Sequence, residues 1–318
     1  MRYPQQWWIV DTSLRQLAAY VAVARAGGFT AAAARLRVSQ STLSRAVSDL
    51  ERVLGVRLLE RDTRNVQLTA AGHETLRVAE QIVDAHRSGM KQLRRYLLGE
   101  SGVVAMATLP SVAAVLLPRL ISAFRGRRPG VSVRIMDGLE RAVLGRVLNG
   151  DADFAVTTVG AASDRLEHRP LIRDRFRAVL PESHPLADRD EVTWEDLAAQ
   201  PFLAVGPESS VRRLTDAAFE QAGAVVAPAA EAGNVATVGG LVAAGLGVSA
   251  LPALVLPLLG PGHVVHRTLA GPAVERRLDI VVRARRTLPP AAAAFLDLLD
   301  EARTEGREVP EGAAWITH

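Results

Sequence analysis

Thr30–Arg52, TAAAARLRVSQSTLSRAVSDLER, is the stretch that decides the fold. It reads as two short helices joined by a tight corner. Leu43, Val47, Leu50 and Leu54 recur at helical spacing and predict a buried stripe on the second helix. At 3.6 residues per turn the opposite side carries Ser41, Arg45, Ser48 and Arg52, with Ser44 on the flank. Small hydroxyls beside arginines let a helix lie close in a major groove and still reach base edges and phosphates.

The flanking residues extend this pattern. Ser13 followed by Gln16 is a capping box that opens a first helix, with Leu14, Leu17, Val21 and Ala24 as its apolar positions. Gly27-Gly28 ends that helix, and Thr30 is expected to cap the next. Ser39 caps the third helix, which runs to Leu54, and Gly55 terminates it. Leu58–Arg61 and Val66–Thr69 then read as two short strands around Asp62–Asn65. Three helices and this hairpin make a winged helix-turn-helix, expected over residues 14–72.

Charge agrees with that placement. Residues 1–72 carry ten Arg against five Asp and Glu, a net +5, whereas the whole chain is +4. The positive field therefore sits on the helix pair, as phosphate binding requires. Cysteine is absent, which excludes disulfides, thiolate metal sites and cysteine nucleophiles. No secretory signal is read at Trp7–Val10, because the apolar run is too short. Residues 232–266 contain no Asp, Glu, Lys or Arg, but breakers at Gly239, Gly240, Gly245, Gly247, Pro252, Pro257 and Pro261 argue for an α/β core and against a membrane span.

From Thr69 to Leu98 one long helix is expected. Leu76, Ala79, Val83, His86, Met90, Leu93 and Leu97 alternate three and four apart, a seam that suits the same helix of a second subunit. An ordinary amphipathic helix packed on its own domain is the other reading. This linker is assigned residues 73–98.

Gly99 and Gly102 mark the next boundary, and after residue 102 the pattern becomes short apolar runs between helices. Val103–Thr108, Val131–Asp137 and Asp153–Val159 read as strands, with Val112–Phe124 and Leu139–Leu148 as the helices between them, a parallel βαβαβ unit. Phe176–Leu180, Phe202–Val205, Val225–Ala229 and Gly247–Leu251 form a second set, with helices at Val211–Gln221 and Val235–Ala244. Arg277–Arg283 returns as a strand and Pro289–Arg303 closes the domain as a helix. The expectation is two α/β lobes, residues 99–170 with 272–303 and residues 171–271, with a ligand cleft between them. Residues 304–318 are expected as a tail.

Leu14 to Gly72 resembles the winged helix-turn-helix of LysR-type transcriptional regulators, through FTAAAARL, VSQSTLSRAVSDLE, LGVRLLER and QLTAAG in that order. FRGRRPGVSV, LNGDADFAV, HPLA and VAAGLGVSALP resemble the same family's effector-binding half, so the likeness runs over residues 14–303. Residues 1–13 have no counterpart in the family's usual start and are an extension. The resemblance implies a cytoplasmic, non-enzymatic regulator of periplasmic-binding-protein-like effector fold, without cofactor or metal. Its partners would be double-stranded promoter DNA, a small-molecule effector, a second copy joined through the linker helix, a homotetramer built from such dimers, and RNA polymerase.

Carried over by position, Gln40, Ser41, Ser44 and Arg45 would read DNA, with Arg64 at the wing. Position 41 is often proline in the family and is serine here. The effector would lie between the lobes, against Thr108, Ser111, Gly138, Thr157, Thr158, Ser209, Ser210 and Asn234. Ser111 and Ser209-Ser210 precede helices whose free N–H groups favour an anion, which points to a small organic acid. The same residues also suit simple helix caps.

Enzyme motifs fail on context. Gly245–Ala250 fits GxGxxG/A by letters, but it follows a helix and enters a strand, the reverse of a dinucleotide fingerprint. Gly247–Leu251 lacks the second glycine of a nucleophile elbow. His263 and His266 fall on opposite faces of a strand, poorly placed to share a metal. The remaining alternative is a solute-binding protein or enzyme carrying an appended DNA-binding head.

Overall fold

The computed structural model describes residues 12–61, 66–160, 163–260 and 263–317. Contacts divide the chain into two compact units, Met1–Arg94 and Arg95–His318.

In the first unit, α1 (Leu14–Ala26), α2 (Phe29–Leu36) and α3 (Gln40–Leu54) are followed by β1 (Leu59–Arg61), β2 (Val66–Leu68) and the 28-residue α4 (Ala70–Leu97). The Ser13–Gln16 capping box is formed in full, and Ser39 accepts the Thr42 N–H at the start of α3. Gly27 and Gly55 close α1 and α3 in the left-handed conformation that glycine alone adopts without strain. The α2 boundary departs from expectation. The helix starts at Phe29 behind Gly28, so Thr30 lies inside it and no side chain caps it. Arg37, at φ 56°, makes the corner into α3.

Tyr20, Val23, Leu43, Val47, Leu50, Leu58 and Leu59 form the head's core, with Ala79 of α4 and half-buried Phe29 against it. Leu54, expected in the stripe, is 38% exposed at the last turn of α3, where it lines an open apolar groove with Leu14 and Leu17 of α1 and Val78 and Ile82 of α4. β1 and β2 pair antiparallel, and the tip between them, with Arg64, lies outside the described residues.

Tyr20 fastens the start of α4: its hydroxyl donates to Gly72 O at 2.6 Å. A side chain at Gly72 has no room, since a Cβ there would stand 2.2 Å from Leu58 O. Burial, with the nearby Glu51 carboxylate, pushes the Tyr20 phenol up to about 12.

The expected seam on α4 is divided. Ala79 and Val83 are buried and Leu76 packs on the head's core, whereas Met90, Leu93 and Leu97 are about half exposed. The first half of the helix belongs to its own domain, and the second half presents an open apolar stripe.

The second unit begins with β3 (Gly102–Thr108), a π-helical turn over Val112–Leu116, α5 (Leu117–Arg127), β4 (Val131–Asp137), α6 (Glu140–Asn149), β5 (Phe154–Thr157) and β6 (Leu166–Pro181). It continues through a short helix Pro185–Asp188, β7 (Glu191–Thr193), α7 (Trp194–Ala198), β8 (Leu203–Val205), α8 (Ser210–Gln221), β9 (Ala230–Ala232), α9 (Val235–Ala243) and β10 (Ser249–Pro252). A 3₁₀ helix Ala253–Leu258, β11 (Val264–Ala270), β12 (Glu275–Arg283), α10 (Pro290–Thr304) and β13 (Ala313–Trp315) complete it.

β3 pairs parallel with both β4 and β5, the βαβαβ unit expected. Their core sets Phe295 against both Phe124 and Phe154, at centroid distances of 5.0 and 5.9 Å. A second core gathers Trp194, Phe202 and Phe219 edge-to-face with Val205, Val242 and Leu251. The 16-residue β6 serves both: residues 166–175 pair with β12 and residues 176–181 with β10 and β11. The expected lobe boundary after residue 170 therefore falls inside one continuous strand.

Two further expectations are corrected. Val225–Ala229 is not a strand. Val225 is fully exposed, and pairing with β8 begins only at Ala230. The segment 304–318, expected as a tail, carries β13, which pairs with β6 and packs Trp315 against the first core.

Candidate DNA interface and effector cleft

On α3, Gln40, Ser41, Arg45, Ser48 and Arg52 are exposed and Ser44 is half-buried, opposite the buried Leu43, Val47 and Leu50. The Ser39 hydroxyl sits 3.0 Å from Ser41 Oγ and 2.7 Å from Thr42 Oγ1, which fixes the entry to the helix. Arg52 is paired with Asp49 at 3.1 Å. Arg45 makes no hydrogen bond or ion pair among the described residues, so its guanidinium projects from the face unengaged. The structure thus brings Gln40, Ser41, Ser44 and Arg45 onto one surface, and Arg64 falls outside the described residues.

In the second unit a cavity of about 60 Å³ lies between the two cores, lined by Ser111, Ser209, Ser210 and Asn234 of the expected set. Ser209 caps α8 by accepting the Val211 N–H at 3.1 Å, and Asn234 caps α9 by accepting the Ala236 N–H at 2.7 Å. Ser111 behaves otherwise. Its hydroxyl does not cap the following turn but accepts from Arg276 Nη2 at 2.9 Å.

The other expected residues lie outside this lining. Thr108 donates its hydroxyl to Val156 O at 2.8 Å, and Gly138 N–H bonds Thr108 O at 3.0 Å. The Thr158 hydroxyl donates to Glu140 Oε2, and the buried Thr157 hydroxyl has no partner among the described residues.

Sequence reading missed the charged groups of the cleft. Arg276 on β12 is 5% exposed and its Nε donates to Asp174 Oδ2 at 2.8 Å; Asp174 Oδ1 accepts the Leu254 N–H at 2.9 Å. This buried pair joins β12, β6 and the 3₁₀ helix beneath the cleft. Glu140, which opens α6, accepts the Gly160 N–H at 2.9 Å and meets Arg213 of α8 at 3.4 Å, so one ion pair reaches from the first core's side to the second. A volume of about 60 Å³ holds about two waters.

Comparison with known proteins decides what this arrangement belongs to. Residues 14–73 match the bacterial regulatory helix-turn-helix of the lysR family, and residues 98–304 match the LysR substrate binding domain. The chain belongs to the LysR family of transcriptional regulators. It is 33% identical over 303 residues to YfeR of Shigella flexneri, described as an uncharacterized HTH-type transcriptional regulator, covering 95% of this chain and 97% of that one. HcaR of Escherichia coli K12, the Hca operon transcriptional activator, is 30% identical, covering 91% and 97%. Among solved structures, the LysR-family regulator CbnR matches with a TM-score of 0.74 at 26% identity, over 90% of this chain and 99% of its own. Full-length CbnR in complex with its target DNA matches with a TM-score of 0.73 at 27% identity, over 91% and 99%.

This LysR-type protein is accordingly a DNA-binding transcriptional regulator with an effector-binding domain, not a catalyst. Head and effector half match one family along one chain, which removes the alternative of an enzyme with an appended head. Among the described residues no single helix is long and apolar enough to cross a membrane.

Proposed function

We propose that this regulator reads promoter DNA with Gln40, Ser41, Ser44 and Arg45 of α3, one helix per subunit. The observation that carries the reading is Arg45, exposed and unengaged in the middle of a polar face on a head of local charge +5. An arginine so placed is free to pair bidentately with guanine in a major groove. Arg64 on the wing would meet phosphate or the minor groove and add affinity more than selectivity.

Two subunits joined through the open stripe of Met90, Leu93 and Leu97 would set two reading helices about 34 Å apart, or a multiple of it, on one face of the duplex. Pairs of such dimers would make the homotetramer, in the cytoplasm, within reach of RNA polymerase. The effector would be a small organic acid held in the cleft by Ser111, Ser209, Ser210 and Asn234, with Arg276 beneath it. Two helix starts on one cavity favour an anion, while the Arg276 guanidinium is already neutralised by Asp174. Thr108, Gly138, Thr157 and Thr158 would then act from behind the lining. Binding would shift an existing equilibrium between closed and open arrangements of the cleft.

The test is a gel-shift titration of the full chain against duplexes taken upstream of its own and adjacent genes. The expected result is saturable binding to one of them that weakens steeply with salt. Binding no tighter than to unrelated duplex refutes it. A thermal-shift series with small carboxylates then tests the cleft, since a ligand of the folded state raises its melting temperature.

A further inference from the structure

The effector half holds a second cavity about ten times the size of the cleft, a groove of about 650 Å³. Three segments build it: the π-helical turn with the start of α5, the 3₁₀ helix after β10, and the C-terminal segment around β13. Leu116, Leu120, Leu258, Val309 and Trp315 supply apolar surface, and Arg119, Arg307, Glu308 and Glu311 stand around them. Small-ligand sites are concave, mostly apolar, about 300–1,000 Å³, with few placed polar groups, and this groove has that character.

Three observations argue that it is built for occupancy. The Trp315 indole N–H donates to Arg307 O at 2.7 Å, which fixes the ring position in the wall. Among the described residues Arg119 is held only by Glu308, at 3.4 Å with both side chains about four-fifths exposed. Such a pair contributes little, so an incoming carboxylate displaces Glu308 easily. The wall itself contains a π-helical turn, a costly local geometry that recurs at functional sites.

The groove's walls also meet the floor of the cleft. Ser111 lies in the cleft and the π-turn that follows it lines the groove. The 3₁₀ helix on the other wall is anchored by Leu254 N–H to Asp174, the partner of Arg276, which in turn holds Ser111.

We propose that this groove is a second small-molecule site, separate from the cleft, for an amphipathic organic acid. The apolar body lies against Leu116, Leu120, Val309 and Trp315, and the carboxylate takes Arg119. Displacement of the two walls then reaches the Ser111–Arg276–Asp174 bonds, so this ligand biases the cleft without entering it.

Isothermal titration of the full chain with 1-pyrenebutyrate, an apolar acid, tests it. One saturable site per chain is expected. Ala114→Trp, at an exposed position on the groove wall, is expected to raise the Kd at least about tenfold. Arg119→Glu, on an exposed side chain that leaves the core untouched, is expected to raise it as well. Asn234→Trp, at the exposed rim of the cleft, is expected to change it far less than either groove variant does. Unsaturable heat, or parental affinity in both groove variants, overturns the proposal. Loss in Asn234→Trp alone places the probe in the cleft and overturns it too. A fall in sedimentation coefficient with Ala114→Trp assigns the groove to a second copy of the chain, with the same consequence.

Discussion

Replacing Arg276 by Met isolates the buried pair beneath the effector cleft. In the native chain Arg276 and Asp174 have side chains 4% and 0% exposed and meet at 2.8 Å, and Ser111 takes a second arginine N–H at 2.9 Å. Without the guanidinium, the Asp174 carboxylate keeps only the Leu254 N–H, at 2.9 Å, in a site water does not reach. An uncompensated buried charge of this kind costs about 3–5 kcal/mol. For a unit of this size about 2–4 °C of melting temperature goes with each kcal/mol, so its transition should fall by about 6–20 °C.

Arg276→Met with Asp174→Leu removes both charges and should recover most of that loss, because apolar groups of similar volume replace a buried pair at little cost. The recovery stops short of complete, since the Leu254 N–H is then left without an acceptor, a penalty of about 1–3 kcal/mol. Calorimetry of the full chain, following the transition of the effector half, measures both. A single variant within about 1 kcal/mol of the parent refutes the reasoning, as does a double variant no better than the single.

Other outcomes follow from the head. Gly72→Ala sets a Cβ 2.2 Å from Leu58 O and should destabilise the head by about 1–3 kcal/mol in urea titration; an unchanged midpoint contradicts the packing described. The folded head holds the Tyr20 proton more tightly than the unfolded chain does, so below pH 10 this group leaves stability intact, and stability falls as pH rises from 10 towards about 12. Tyr20→Phe should remove that share of the alkaline slope in melts, and an identical slope would show that the phenol is not buried. Leu93→Glu, on the open stripe of α4, should break the proposed linker-helix dimer and lower the sedimentation coefficient without altering the head's circular dichroism; an unchanged sedimentation coefficient moves the interface elsewhere.

Much of this architecture is written in local signals. The Ser13 and Ser39 caps, the glycine stops and the alternation of Leu43, Val47 and Leu50 depend on residues within one or two turns of each other. The strands β3 and β5 are equally legible, because burial on both faces leaves apolar runs, and the edge strand β4 shows as alternation. What escaped depends on distant partners. β6 carries Glu167, His168, Arg169, Arg173, Asp174 and Arg175 in its first half, so only Phe176–Leu180 looked like a strand. Pairing with β12 is what makes that half a strand and sets Asp174 opposite Arg276.

The same limit hid the cleft's chemistry. Asp174 and Arg276 lie 102 residues apart, and neither has a neighbour in sequence that announces a buried ion pair. Ser111 was legible as a residue before a helix, but its bond to Arg276 was not. β13 went unread because three residues, Ala313–Trp315, are too few for periodicity and depend wholly on β6 for pairing. Val225–Ala229 shows the converse: β-branched residues suggest a strand, and without a partner none forms.

The central claim is that the exposed face of α3 reads base sequence, and the specificity ratio of Arg45→Ala tests it most directly. Fluorescence anisotropy with a promoter duplex and a scrambled duplex of equal length, at one fixed salt concentration, supplies that ratio. The account predicts that the substitution weakens promoter binding by about 1–3 kcal/mol while scrambled-duplex binding changes far less. Equal weakening on both duplexes, or none on either, would contradict it.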